Sequence, residues 1–182
     1  MYKSRNGNIY YLYTKATSKG NKKYFLSTKK DSGALTQIPD NFEIYESPNG
    51  TVTLRKSFIR MFSQDEIDDI KNSMGKYCKN AEYIIDEKKD GIEIYVDEMY
   101  RKKLSIVELS ILSVGEGKST RTIYNPTFKL SKDPTIGEYL IERFFFLGGV
   151  QDWVYIERNK RLKYLCDKYF VHINKESFYE LM

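Results

Sequence analysis

Residues 42–56, FEIYESPNGTVTLRK, constrain the fold more tightly than any other stretch, because two apolar-rich runs meet there at Pro48-Asn49-Gly50. Proline presets the first turn position, asparagine tolerates the second, and glycine takes the left-handed third, which together predict a three-residue hairpin loop. That loop sets Ile44 opposite Leu54 and Glu43 opposite Arg55. A two-residue Asn49-Gly50 loop would instead pair Ile44 with Arg55. Only the first register sorts the faces, with Phe42, Ile44, Val52 and Leu54 on one side and Glu43, Tyr45, Thr53 and Arg55 on the other, as a sheet with one buried face requires.

The rest of the chain supports sheet-rich structure. Sixteen Tyr and ten Phe stand against only four Pro, and 41% hydrophobic content in 182 residues is enough to bury a core. The expectation is an α+β protein. Residues 1–57 form a small antiparallel module of four strands, and residues 58–182 an antiparallel sheet with packing helices. No run approaches a membrane span and the N-terminus lacks the apolar stretch of a signal peptide, so the expected location is cytoplasmic. Cys78 and Cys166 fall on apolar helical stripes and are expected to be reduced core thiols.

Along the chain, residues 8–17 and 23–30 read as strands separated by Ser-Lys-Gly-Asn-Lys. Ser63 with Glu66 three residues later predicts a capping box, opening a helix to about Cys78 with Ile67, Ile70, Met74, Tyr77 and Cys78 on one face. Residues 82–87 and 92–98 flank an Asp90-Gly91 hairpin signal. Residues 99–114 lean towards helix, and the chain from 120 onward is extended up to a turn at Asp133-Pro134. The Phe cluster and paired glycines of GEYLIERFFFLGG favour a strand over the helix that propensity alone allows. Asn159 is the expected cap of a closing helix with Leu162, Leu165, Cys166, Tyr169, Phe170 and Ile173 inward, and a short turn starts from Asn174. No internal repeat, low-complexity tract or flexible linker is apparent.

The stretch IPDNFEIYESPNGTVTLRK (38–56), and the stretch from TFKLSKDPTIGEYLIERFFFLGGVQDW (127–153) to FYEL (178–181), resemble an uncharacterised bacterial protein family. Members carry an Ile/Leu-Pro-x-Gly-Tyr-Glu-Ile-Tyr-Glu-x-Pro-x-Gly start, a β-hairpin ending in Gly-Ser-Ile-Asp-Asp-Trp, and a closing Phe-Phe-Glu-Leu. This chain departs from the pattern at Asn41, where glycine is usual, and at Gly149, Val150 and Gln151 before Asp152 and Trp153. The resemblance implies one continuous architecture and brings no activity, cofactor or catalytic residue with it.

No motif identifies catalytic, cofactor-binding or metal-binding residues. Gly117-Lys118-Ser119 imitates the end of a phosphate-binding loop, but the glycine required six residues before the lysine is Leu112. Asp97, Glu116 and Lys118 could be assembled into a metal-dependent nuclease-like set, a coincidence that comes easily when 30% of residues are charged. His172 is the only histidine, which removes most general-base and zinc schemes. A six-residue helical separation turns it away from Cys166. Trp153 beside Asp152 is more simply a core-edge anchor than part of a site.

Charge remains. Residues 1–57 hold ten Lys/Arg against four Asp/Glu, a net +6, while residues 58–182 hold twenty against twenty-one, a net −1, together the chain's +5. Lys15, Lys19, Lys22, Lys23, Lys29 and Lys30 gather around one hairpin, interleaved with Tyr10, Tyr11, Tyr13, Tyr24 and Phe25. Cations for phosphates and rings for bases make Tyr11, Tyr13 and the six lysines candidate nucleic-acid contacts. Two other roles stay open, a non-catalytic module meeting an acidic protein partner and a metal-dependent enzyme using the carboxylates above. Lysines that merely block edge-to-edge pairing of strands are the plain structural explanation.

Overall fold

The computed structural model describes residues 1–79, 81–97 and 122–181, and the chain divides into two units, Met1–Ile59 and Arg60–Met182. The architecture is α+β, as composition predicts.

The first unit holds strands β1 (Tyr2–Lys3), β2 (Ile9–Ala16), β3 (Lys22–Ser27), β4 (Phe42–Glu46) and β5 (Val52–Lys56). They form a three-stranded antiparallel sheet, β1-β2-β3, and a two-stranded β4-β5 hairpin. The sequence yields four strands here; the fifth, β1, is two residues long and pairs Tyr2 with Tyr10 and Lys3 with Ile9. In the β4-β5 hairpin, Ile44 faces Leu54 and Glu43 faces Arg55, the register that the three-residue loop dictates. Its second face is not simply solvated: Arg55 pairs with Glu43 at 2.7 Å and lies over the rings of Tyr45, at 4.0 Å, and Phe58, at 4.8 Å. Guanidinium stacking on rings keeps that ion pair half-buried.

Three hairpins in this unit share one loop. In Ser4-Arg5-Asn6-Gly7-Asn8, Thr17-Ser18-Lys19-Gly20-Asn21 and Ser47-Pro48-Asn49-Gly50-Thr51, the first backbone N–H donates to the fifth carbonyl at 2.8–2.9 Å. The glycine N–H donates to the first carbonyl at 2.8–2.9 Å. The first hydroxyl accepts from the fifth N–H at 3.0–3.1 Å. All three glycines adopt φ near +80°, a conformation costly for any residue with a Cβ. The recurring Ser/Thr-x-x-Gly-Asn/Thr pattern is therefore a backbone requirement repeated three times.

In the second unit, β6 (Tyr83–Lys88), β7 (Gly91–Asp97), β8 (Tyr124–Asp133), β9 (Glu138–Leu147) and β10 (Val150–Asn159) form a five-stranded antiparallel sheet in the order β10-β9-β8-β7-β6. Helices α1 (Gln64–Tyr77) and α2 (Leu162–Tyr169) pack on one face. Period-2 alternation sends Ile92, Ile94 and Val96 of β7, Phe128 and Leu130 of β8, and Ile141 of β9 into that core. Ile67, Ile70 and Met74 of α1 and Leu162, Leu165 and Cys166 of α2 meet them. α1 starts in the capping box the sequence announces: Ser63 Oγ accepts from the Glu66 N–H at 3.3 Å and Glu66 Oε2 accepts from the Ser63 N–H at 2.7 Å. Glu66 Oε1 also accepts from Lys132 at 2.7 Å and from the Tyr139 hydroxyl, which pins the helix start to the β8-β9 hairpin. Pro126 is tolerated inside β8 because a bulge at Thr127 interrupts the ladder with β7 there.

Three expectations change in detail. The β6-β7 turn is Lys89-Asp90, with Gly91 already in the strand and paired to Lys88. Glycine is needed there for space, since a Cβ would lie 2.3 Å from the Leu130 carbonyl oxygen. Asn159 ends β10 and its Oδ1 accepts from the Arg161 N–H at 2.9 Å, while Arg161 holds the N-cap position of α2 without a side-chain cap. Beyond Tyr169 the inward stripe continues through a 3₁₀ turn at Phe170–His172, with Phe170 and Ile173 buried. The helix expected over 99–114 lies outside the described residues.

Candidate nucleic-acid interface

The register of β2 with β3 decides which side chains share a face. Tyr11 opposes Ser27, Tyr13 opposes Phe25 and Lys15 opposes Lys23; alternating with them, Leu12 opposes Leu26, Thr14 opposes Tyr24 and Ala16 opposes Lys22. Of the second set, Leu12 is buried and Tyr24 and Leu26 are half-buried, with Tyr24 meeting Phe42 edge-on at 5.6 Å, while Thr14, Ala16 and Lys22 towards the hairpin loop are exposed. Tyr2, in register with Tyr10, donates from its hydroxyl to Glu46 at 2.8 Å. Glu46 is only 4% exposed and ties the sheet to the β4-β5 hairpin. Burial pushes its pKa up, but hydrogen bonds from Tyr2 and from the Arg5 backbone and guanidinium outweigh that and hold it below the usual value.

The first set is left on the outer face. There Lys15 lies 5.7 Å from the centre of the Phe25 ring and Lys30 lies 6.0 Å from that of Tyr11. Phe25 is stacked on Tyr13 at 5.6 Å and keeps 40% of its surface exposed. Lys3 joins the same face through its pairing with Ile9. Along the face, the order is Lys15 and Lys23, then Tyr13 and Phe25, then Tyr11 with Lys30 over it, then Ile9 and Lys3.

Two like charges directly opposite on a strand pair destabilise it, and Lys15 and Lys23 occupy that position. No described carboxylate lies within ion-pair distance of Lys3, Lys15, Lys19, Lys22, Lys23, Lys29 or Lys30. In the second unit, by contrast, several lysines are paired with carboxylates, among them Lys129 with Asp90 at 2.6 Å, Lys132 with Glu66 at 2.7 Å and Lys168 with Glu157 at 2.5 Å. The two cation–π contacts of the outer face are at the far limit of that interaction, worth under about 1 kcal/mol at an exposed site, so neither ammonium is firmly held.

Of the eight candidates from sequence, Tyr11, Lys15, Lys23 and Lys30 come together on the outer face. Tyr13 points there too but is only 6% exposed, because its hydroxyl donates to the Lys29 carbonyl at 2.8 Å and accepts from the Asp31 N–H at 3.0 Å. The chain at 29–31 thus folds over it, and Tyr13 supports Phe25 instead of offering a ring of its own. Lys22 belongs to the inward-alternating set at the sheet's open end, Lys19 sits in the hairpin loop, and Lys29 is exposed beside its bonded carbonyl. Lys3, Ile9 and Phe25 complete the face; strand alternation from the Tyr11 position is the signal that finds Phe25 once the loop length is known.

The other constellations do not assemble. Asp97 is buried with its N–H bonded to the Glu82 carbonyl at 3.0 Å, and Glu116 and Lys118 lie outside the described residues, as does Gly117-Lys118-Ser119. Among the described residues no group of three or more His, Cys, Asp or Glu is placed to hold a metal ion. Both cysteines are free and buried, and burial pushes the Cys78 thiol up to about 11 and, aided by Asp167 and Asp69, the Cys166 thiol up to about 12. Neither is a thiolate at neutral pH. His172 Nδ1 contacts Ser177 Oγ at 2.8 Å, and Trp153 meets Phe144 edge-on at 5.3 Å on the sheet face away from the helices. No helix among the described residues is long and apolar enough to cross a membrane. Comparison with known proteins finds no matching family model, curated protein or solved structure.

Proposed function

We propose that this chain is a cytoplasmic binding protein whose outer β1-β2-β3 face contacts nucleic acid, mainly through phosphates and with little sequence selectivity. The observation that carries the proposal is the register pair Lys15–Lys23, two cations held opposite one another without a neighbouring carboxylate, on the face that also exposes Phe25. A polyanion lying across that face relieves the repulsion between them. Protection of an exposed strand edge accounts for Lys22 and Lys23 on β3, but it does not call for Lys15 opposite Lys23. An acidic protein partner would satisfy the same charges; the exposed Phe25 ring favours nucleic acid, whose bases stack on such a face.

The test is a salt titration of a fluorescein-labelled oligonucleotide by anisotropy. Four outer-face cations, Lys3, Lys15, Lys23 and Lys30, give an expected slope of about −3 in log affinity against log salt for a single strand. Alanine at both Lys15 and Lys23 lowers its magnitude by about 1 to 1.5. Absence of binding at low salt, or a slope that the double variant leaves unchanged, overturns the proposal.

A further inference from the structure

We infer, resting on the reading above, that the form of nucleic acid this face takes is a single strand, held with bases stacked on Phe25 and Tyr11 and phosphates reached by lysines at both ends of the rings. Phe25 pairs with Tyr13, and Tyr11 lies two residues along β2 from Tyr13, so the two rings are diagonal neighbours on one face. Diagonal positions in an antiparallel pair are separated by about 7–8 Å. Bases in a duplex rise by about 3.4 Å per step and hide their faces in the stack, so a duplex cannot present two bases to rings at this spacing. An unstacked strand can.

The cations are placed for the same path. Lys15 and Lys23 lie two residues beyond the Tyr13–Phe25 pair towards the hairpin loop, and Lys30 and Lys3 lie towards the opposite end. Residues 29–31 cover Tyr13, so a strand crossing this face meets Lys15 and Lys23, then the exposed Phe25, then the half-buried Tyr11 with Lys30 and Lys3 beyond it. Lys15 and Lys30 hover over those rings at 5.7 and 6.0 Å and move aside as bases take the ring faces. Tyr13 stays beneath Phe25, its hydroxyl bonded on both sides, and fixes that ring in place.

The experiment uses the full chain with three probes of matched charge: a labelled oligo-dT, a labelled blunt duplex, and inorganic polyphosphate as competitor. The expected result is oligo-dT binding at least about tenfold tighter than the duplex, with Phe25→Leu and Tyr11→Leu each weakening it by about 5- to 150-fold and leaving the dissociation constant of polyphosphate, obtained from its competition curve, unchanged. Leucine keeps an apolar cover over Tyr13 without a π face, and unchanged melting temperatures establish that each variant is folded. Equal affinity for single strand and duplex, with both ring variants neutral, overturns the stacking inference while the phosphate reading stands. No affinity for any of the three probes overturns both.

Discussion

Replacing Lys23 by glutamate separates what the hairpin needs for stability from what its outer face is proposed to do. Lys23 lies opposite Lys15, so the wild-type pair is repulsive and Lys23→Glu converts it to an opposite-charge pair. Cross-strand charge pairs contribute roughly 0.2–1 kcal/mol when opposite and cost a similar amount when alike, so the exchange stabilises the first unit by about 0.5–1.5 kcal/mol. For a cooperative unit of this size each kcal/mol moves the midpoint by about 4–8 °C. Its melting transition therefore rises by about 2–12 °C at low ionic strength. The gain shrinks in 1 M salt, where the screening length is only about 3 Å. Binding moves the other way: one phosphate contact is lost and a negative charge faces the ligand, so the salt slope falls by about 1 or more and affinity at low salt drops at least about tenfold. Calorimetry and anisotropy on the same preparation read both effects. A lower melting temperature with affinity intact would refute the reasoning, since Lys23 would then be a structural residue without a ligand.

Three further outcomes follow from the second unit. Gly91→Ala would bring a Cβ to 2.3 Å from the Leu130 carbonyl oxygen in backbone with φ +154°, and the clash plus strain costs about 2–5 kcal/mol, measured as a lower urea midpoint. Glu66 has its pKa lowered to about 2; burial opposes that shift, and hydrogen bonds from Lys132, Tyr139 and the Ser63 N–H outweigh it. Because the folded value is depressed, its contribution is complete above its ordinary value of 4.5 and is lost as pH falls towards 2, so the wild-type melting temperature declines across that window more steeply than that of Glu66→Gln. Cys78 and Cys166 should resist a thiol reagent at pH 8 in the native protein and both react once it is unfolded, followed by absorbance.

Features set by neighbours along the chain are legible from the residues alone. Pro48-Asn49-Gly50 fixes its own loop and hence the Ile44–Leu54 register, Ser63 and Glu66 cap α1, and the Phe-rich run before Gly148-Gly149 is strand β9. What escapes such reading depends on chain segments that are distant or irregular. The loop after β2 is Ser18-Lys19-Gly20 closed by Thr17 and Asn21, one residue earlier than the Ser18–Lys22 stretch suggests, and the shared Ser/Thr-x-x-Gly pattern is visible only when the three loops are aligned. Tyr13 and Tyr11 are alike in local pattern, yet Tyr13 is buried because residues 29–31 fold back to its hydroxyl, an event without periodicity. The role of Gly91 is equally non-local, since the atom that excludes a side chain belongs to Leu130. Asn159 has capping chemistry but spends its carbonyl on Arg161 at the end of β10.

Amide chemical-shift mapping during titration with an unlabelled oligo-dT tests the outer-face assignment most directly. The largest changes are expected at Lys3, Tyr11, Lys15, Lys23, Phe25 and Lys30, small ones at Tyr24 and Leu26 on the inward-facing set, and none in the five-stranded sheet. Changes centred on β4-β5 or on the second unit, with Lys15, Lys23 and Phe25 unmoved at saturation, would contradict that assignment.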